Sequence, residues 1–181
     1  DGQSYTMTAN VSDAAGNAAS EVTSSAFTVN SSLPTIAAIG TGAFSWGAVL
    51  NATEDNANGT VSITTTGVDN GQTLTLVLNG ENYTNTITDN ATTVTISASG
   101  LQALTDGQSY TMTANVSDAA GNAAAEVTSS SFSVDTTLPS ISAIATGAFS
   151  WGSVLNATED NANGTVTVTT TGVEDGQTLT L

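Results

Sequence analysis

The chain has 181 residues, with 16 Asp and Glu, no Lys, Arg, His or Cys, and a formal charge of −16. No side chain offers a cation to phosphate, so nucleic acid and anionic lipid are repelled as partners. Without Cys there is no disulfide or thiolate metal site, and without His, Cys or Lys there is no conventional base–nucleophile pair.

A long internal period orders everything else. Val11-Ser12-Asp13-Ala14-Ala15-Gly16-Asn17 recurs 105 residues later as Val116-Ser117-Asp118-Ala119-Ala120-Gly121-Asn122. The linker Val29-Asn30-Ser31-Ser32-Leu33-Pro34 recurs as Val134-Asp135-Thr136-Thr137-Leu138-Pro139. Residues 1–76 and 106–181 align without a gap and differ at 14 positions, so 62 of 76 agree. The chain thus reads as a piece of an array: residues 1–32 as the C-terminal part of one unit, 33–137 as a complete unit, and 138–181 as the N-terminal part of the next.

In chain order, Tyr5, Met7, Ala9 and Val11 alternate with polar residues, which predicts a strand with one buried face. The turn at Asp13–Asn17 and a strand through Phe27 and Val29 complete a hairpin, which is marginal in water without further strands. Pro34 and Pro139 stiffen the entry to each unit. Ile36 and Ile39 open the first strand of the complete unit, and residues 40–57 form a long connection that folds Phe44, Trp46, Val49 and Leu50 over one end of the core. Val61 and Ile63, then Leu74, Leu76 and Leu78, have the two-residue period of strands. Asn79-Gly80 signals a hairpin leading into Tyr83 and Ile87. Val94 and Ile96 mark another strand, and Leu101 and Leu104 a single helical turn. Tyr110, Met112, Ala114 and Val116 follow, then Phe132 and Val134; Val127 is out of phase with Phe132, which predicts a bulge near Ser129–Ser131. Residues 138–181 repeat the first three strands.

About seven short strands in one 105-residue unit is the profile of an immunoglobulin-like sandwich. The class is therefore all-β, in tandem seven-stranded β-sandwiches. Tyr110 stands two residues before Met112, where a tyrosine corner precedes a core Cys, although a plain core Tyr fits the same spacing. No apolar run is long enough to span a membrane.

The order of Gly172-Val173-Glu174-Asp175-Gly176-Gln177, Asp106-Gly107-Gln108-Ser109-Tyr110, the Val116–Asn122 turn and the Val134–Pro139 linker resembles bacterial Ig-like repeats. These build the extender regions of giant type I-secreted adhesins, biofilm-associated and RTX adhesins among them. The resemblance implies a secreted, extracellular rod on the bacterial cell surface. Identical neighbouring repeats would be its partners, Ca²⁺ would sit at the junctions, and there would be no catalysis. Its task would be to project a distal ligand-binding domain for cell adhesion. The alternative is a sandwich that itself binds carbohydrate or ice, suggested by outward Thr167, Thr169 and Thr171.

Sixteen carboxylates without a cation need screening by salt or bridging by hard divalent ions, and Ca²⁺ takes oxygen ligands. Recurrence of the acids at loop positions favours bound Ca²⁺. An immunoglobulin-like strand order predicts that Asp135 gathers Glu54, Asp55 and Asp106 from behind and Glu174 and Asp175 from ahead. Asn30 gathers Asp1 from behind and Asp69 and Asp118 from ahead, and its amide adds no charge. Asp13 repeats Asp118, while Glu159 and Asp160 repeat Glu54 and Asp55, as candidate ligands. Two readings stand at Asp118: a ligand, or an Asp bonded to its own turn. Glu54–Gly59 begins like an EF-hand loop, but its twelfth position is Thr65, which leaves an Asn-Gly turn or a looser Ca²⁺ loop. The near identity of the units also permits end-to-end or side-by-side stacking of chains in crystals.

Overall fold

The computed structural model describes residues 1–181. Its hydrophobic core is one cluster running from Ile36 to Val134, the stretch of the complete repeat. One sheet of this core has the order β10 (Ala91–Ile96), β7 (Gly59–Thr66), β5 (Thr35–Ile36), all antiparallel. Along β7 every second residue is buried, from Gly59 through Val61 and Ile63 to Thr65, as the pleat requires when one face is covered.

The opposite sheet is built from β8 (Thr73–Leu78), β9 (Glu81–Thr86), β12 (Met112–Asn115) and β13 (Val127–Thr128) in the order β13-β12-β8-β9. It continues along the same two strands as β11 (Ser109–Tyr110) and β14 (Phe132–Asp135), with β6 (Val49–Asn51) at the edge. β6 runs parallel to β14, pairing Leu50 with Val134. With β5 and β6 as two halves of the first strand, and β11–β12 and β13–β14 as two interrupted strands, the unit is the seven-stranded immunoglobulin-like sandwich.

Several local expectations are met for visible reasons. Asn79 (φ 51°) and Gly80 (φ 82°) form the left-handed pair that a two-residue hairpin needs, joining Leu78 to Glu81. The helical turn is α1 (Ala98–Gln102), capped where Ser97 Oγ accepts the Gly100 N–H at 3.2 Å. The last strand breaks between Thr128 and Phe132, where Ser129 Oγ takes over the ladder by accepting the Met112 N–H at 2.9 Å. Met112 is fully buried. The Tyr110 hydroxyl accepts the Thr105 N–H at 2.9 Å, which is the return bond of a tyrosine corner and decides between the two readings of that residue.

Other expectations are corrected. The 40–57 connection does bury Phe44, Trp46 and Leu50, but Val49 is exposed and lies in β6. A three-residue strand with one buried side chain is held by main-chain pairing and shows no alternation to read. In the first hairpin, β1 (Ser4–Tyr5) pairs β4 (Phe27–Thr28) and β2 (Thr8–Ala9) pairs β3 (Val22–Thr23), yet Tyr5, Met7 and Val11 are exposed. Their counterparts Met112 and Val116 are buried against the opposite sheet, so burial here comes from partner strands and not from the strand's own sequence. Residues 138–181 form two short strands, β15 (Ser140–Ile141) and β16 (Thr170–Thr171), instead of three. Leu179 and Leu181 are exposed where Leu74 and Leu76 are buried, because β8 is held between β9 and β12 and this stretch has neither neighbour.

Candidate functional site

Alternating strand direction sends the loops to two ends of the sandwich. At one end the β7–β8 turn meets the turn between β12 and β13, where Asp69 Oδ2 accepts the Ala119 N–H at 2.9 Å. At the other end the Asn51–Gly59 loop meets α1: Asn58 Oδ1 accepts the Ala98 N–H, and the Gln102 amide donates to Asn56 Oδ1. These two ends face the linkers.

The Asp135 junction follows from the β6–β14 pairing, which sets Asp135 opposite Asn51. Asn51 and Glu54 lock the loop reciprocally. Asn51 Oδ1 accepts the Thr53 and Glu54 N–H groups, and Glu54 Oε2 accepts the Asn51 N–H at 3.1 Å. The same lock holds Asn156 and Glu159. Glu54 is thereby aimed toward the linker. Asp135, Glu54 and Glu174 line one open crevice of about 470 Å³, with Asn51 and Thr53 beside them. Asp55 is absent from this lining: its Oδ1 takes the Asn56 amide at 3.0 Å, as Asp160 takes that of Asn161 at 2.9 Å. Asp175 lines a neighbouring crevice with Pro139 and Val173. No three acids converge closely enough to form a ready-made metal cluster.

Asp106 does something the spacing did not reveal. Its Oδ1 accepts the Thr136 N–H at 2.7 Å and its Oδ2 accepts the Thr137 hydroxyl at 2.6 Å. These bonds, Thr137's first, hold its carboxyl below the usual Asp value. Asp1 straps Ser31 and Ser32 in the same way. The carboxylate at the start of the penultimate strand therefore ties down the linker that leaves the last one.

At the Asn30 junction, Asp118 Oδ1 accepts the Asn122 N–H at 2.8 Å and Oδ2 accepts the Asn122 amide at 2.9 Å. Gly121, at φ 92°, makes the left-handed turn this requires. Asp13 builds the same turn with Ala15 and Asn17. The Asn side chains are the leading cause that lowers both carboxyl pKa values. The turn-forming reading of Asp118 is thus the observed geometry. Asp118 is also buried, only 3% exposed, because Asn30 covers it. The structure brings Asn30, Asp118 and Asp69 to one end of the unit, with Asp1 on the linker. Asn122, Thr136 and Thr137 were missed as participants. The one available signal was that each stands at a matched position in a repeated motif.

No family model matches the chain, and no curated protein does. A solved bacterial immunoglobulin-like domain from the M. primoryensis ice-binding adhesin is 34% identical, matching 57% of this chain and 96% of that domain, with a TM-score of 0.39. The chain belongs to the bacterial immunoglobulin-like domains. The assignment rests on identity along a whole domain. Two larger solved chains are also similar to this Ig-like chain. One, from work on host cell surface retention of a 1.5-MDa bacterial ice-binding adhesin, is 34% identical over 74% of this chain and 42% of that one, with a TM-score of 0.42. The other is a Ca²⁺-stabilized adhesin that helps an Antarctic bacterium reach out and bind ice. It is 30% identical over 93% of this chain and 40% of that one, with a TM-score of 0.46. This chain spans about two fifths of the length of those two.

Proposed function

We propose that this chain is a stretch of extender in a bacterial surface adhesin, a non-enzymatic spacer of Ig-like units (1–32, 33–137, 138–181). Ca²⁺ stiffens it at the linker that carries Asp135, so that it holds a distal binding domain away from the cell. The observation that carries this reading is the Asp135 crevice, where Asp135, Glu54 and Glu174 from both sides of a linker share one open space in a chain without a cationic side chain. The donors are carboxylate, amide and carbonyl oxygens, the hard ligands that Ca²⁺ takes in sets of 6–8, water included. They fit Ca²⁺ better than Mg²⁺, which demands a small, near-octahedral shell.

Asp135, Glu54 and Glu174 line one crevice without converging on a point; they would close around the ion, and its charge would join two units that otherwise repel. The stiffened linker, not any chemical step, is the function. Similarity to adhesin domains supports a surface location and neighbouring repeats as partners. The ice binding of the two larger adhesins is a property of those whole proteins and is not carried over. Calorimetric titration of CaCl₂ into the chain tests the reading: saturable binding that Asp135→Ala weakens is expected. Binding that survives both Asp135→Ala and Glu54→Ala unchanged would refute the assigned site.

A further inference from the structure

The two linkers differ at the residue that faces across the junction, Asn30 in the first and Asp135 in the second. Asn30 Oδ1 accepts the Ser32 N–H at 3.2 Å, which orients the amide so that Nδ2 faces the next unit. Nδ2 donates to Asp118 Oδ2 at 3.1 Å. In return, the Asn122 amide donates to the Asn30 carbonyl at 3.1 Å while it holds Asp118 Oδ2. Donor meets acceptor at each of these contacts, and no carboxylate opposes another.

We propose that the unit-to-unit contact at Asn30 closes by hydrogen bonds alone, and that Asn30 is the residue that frees this joint from any need for a cation. An Asp here, as at position 135, has no N–H to give. Its oxygen would stand where the Asn30 amide now lies, 3.1 Å from Asp118 Oδ2, as one like charge against another. No Lys, Arg or His exists to neutralise the pair. The Asn30 carbonyl bond to Asn122 would be the only one left across the joint. A string of these units therefore has two kinds of joint, set by one side chain. The Asn joint is closed in any ionic condition; the Asp joint closes only with a cation or a proton between the carboxylates. This inference rests on the reading of the chain as successive units, but not on calcium.

The chain lacks Cys, so spin labels can be placed without background. Gln3→Cys with Thr93→Cys, both on exposed residues, spans the Asn30 joint, and Thr93→Cys with Thr169→Cys spans the Asp135 joint. With Asn30 intact, the first pair is expected to give a narrow distance distribution in EGTA that CaCl₂ leaves unchanged. Asn30→Asp is expected to broaden it in EGTA. Solvent exchange of the Asn30 side-chain amide, followed by NMR in EGTA, reads the bond locally: slow in the native chain, faster in Asp118→Ser. A broad distribution or a fast amide in the native chain in EGTA would overturn the proposal, as would an Asn30→Asp chain that stays narrow there. If the second pair is broad in EGTA and stays broad in CaCl₂ while the first is narrow in both, the calcium reading falls and the Asn joint is upheld; a second pair already narrow in EGTA at neutral pH would overturn the distinction between the two joints.

Discussion

Gly59→Ala should destabilise the complete unit, although replacing Gly in a strand is usually helpful. A Cβ at Gly59 would lie 2.6 Å from Trp46 Cζ3, 2.8 Å from Cε3 and 3.0 Å from Leu101 Cδ1. Ordinary carbon contacts are about 3.5–4.0 Å, so the indole must retreat by about 1 Å. It has nowhere to go: Trp46 is buried, stacked on Phe44 at 5.4 Å and edge-on to Phe132 at 5.3 Å. Overpacking of this kind costs about 1–3 kcal/mol. The stiffer unfolded chain returns about 0.4–1 kcal/mol. The net is a loss of roughly 0–2.6 kcal/mol, about 1.3 kcal/mol at the centre, and at about 4–8 °C per kcal/mol for a small domain that central value lowers Tm by roughly 5–10 °C. Gly164→Ala is the internal control, since a Cβ there meets Trp151, which is only half-buried and can move. Thermal unfolding followed by near-UV circular dichroism compares the two. A Gly59→Ala chain that melts at or above the native temperature would refute the packing argument.

Tyr110→Phe removes the acceptor of the Thr105 N–H and should cost about 1 kcal/mol, read as a lower urea midpoint at unchanged slope. Asp106→Ala should free the Thr136 N–H from its carboxylate strap, so amide exchange at Thr136 should speed up while core amides such as Val61 stay protected. Acid should remove the stabilisation that the strapped carboxylates supply. Asp13, Asp106 and Asp118 have folded pKa values below 3.8, so their stabilisation is complete above that value and is lost as pH falls through the folded values. Denaturant midpoints should therefore fall as the pH is lowered below 3.8, and a rise across that range would contradict the strap.

What the sequence made legible was what repeats at a fixed spacing. Period-two runs such as Leu74, Leu76 and Leu78 marked strands because one face of a pleated strand is covered, and Asn79-Gly80 marked a hairpin because few residue pairs accept two positive φ angles. β6 escaped, since main-chain pairing with β14 leaves no side-chain pattern behind. Burial of Met7 and Tyr5 was misjudged because their pattern matches Met112 and Tyr110 while their surroundings do not. At the junctions, strand order brought Asp135, Glu54 and Glu174 into one space. The sequence left Asp118 open between a ligand and an Asp bonded to its own turn, and it did not show that Asp106 is engaged by Thr137, because a hydrogen bond between residues 31 apart depends on where the last strand ends.

The central claim is that Ca²⁺ stiffens the string of units. Small-angle scattering in CaCl₂ and then in EGTA, at fixed ionic strength and with MgCl₂ as control, tests it most directly. The account predicts a longer maximum dimension in calcium, not reproduced by magnesium, with a parallel rise in Tm; at 100 times Kd, one site contributes about 2.7 kcal/mol. Identical scattering curves and melts in calcium and EGTA would contradict it, leaving the 16 acids as a salt-tolerant surface.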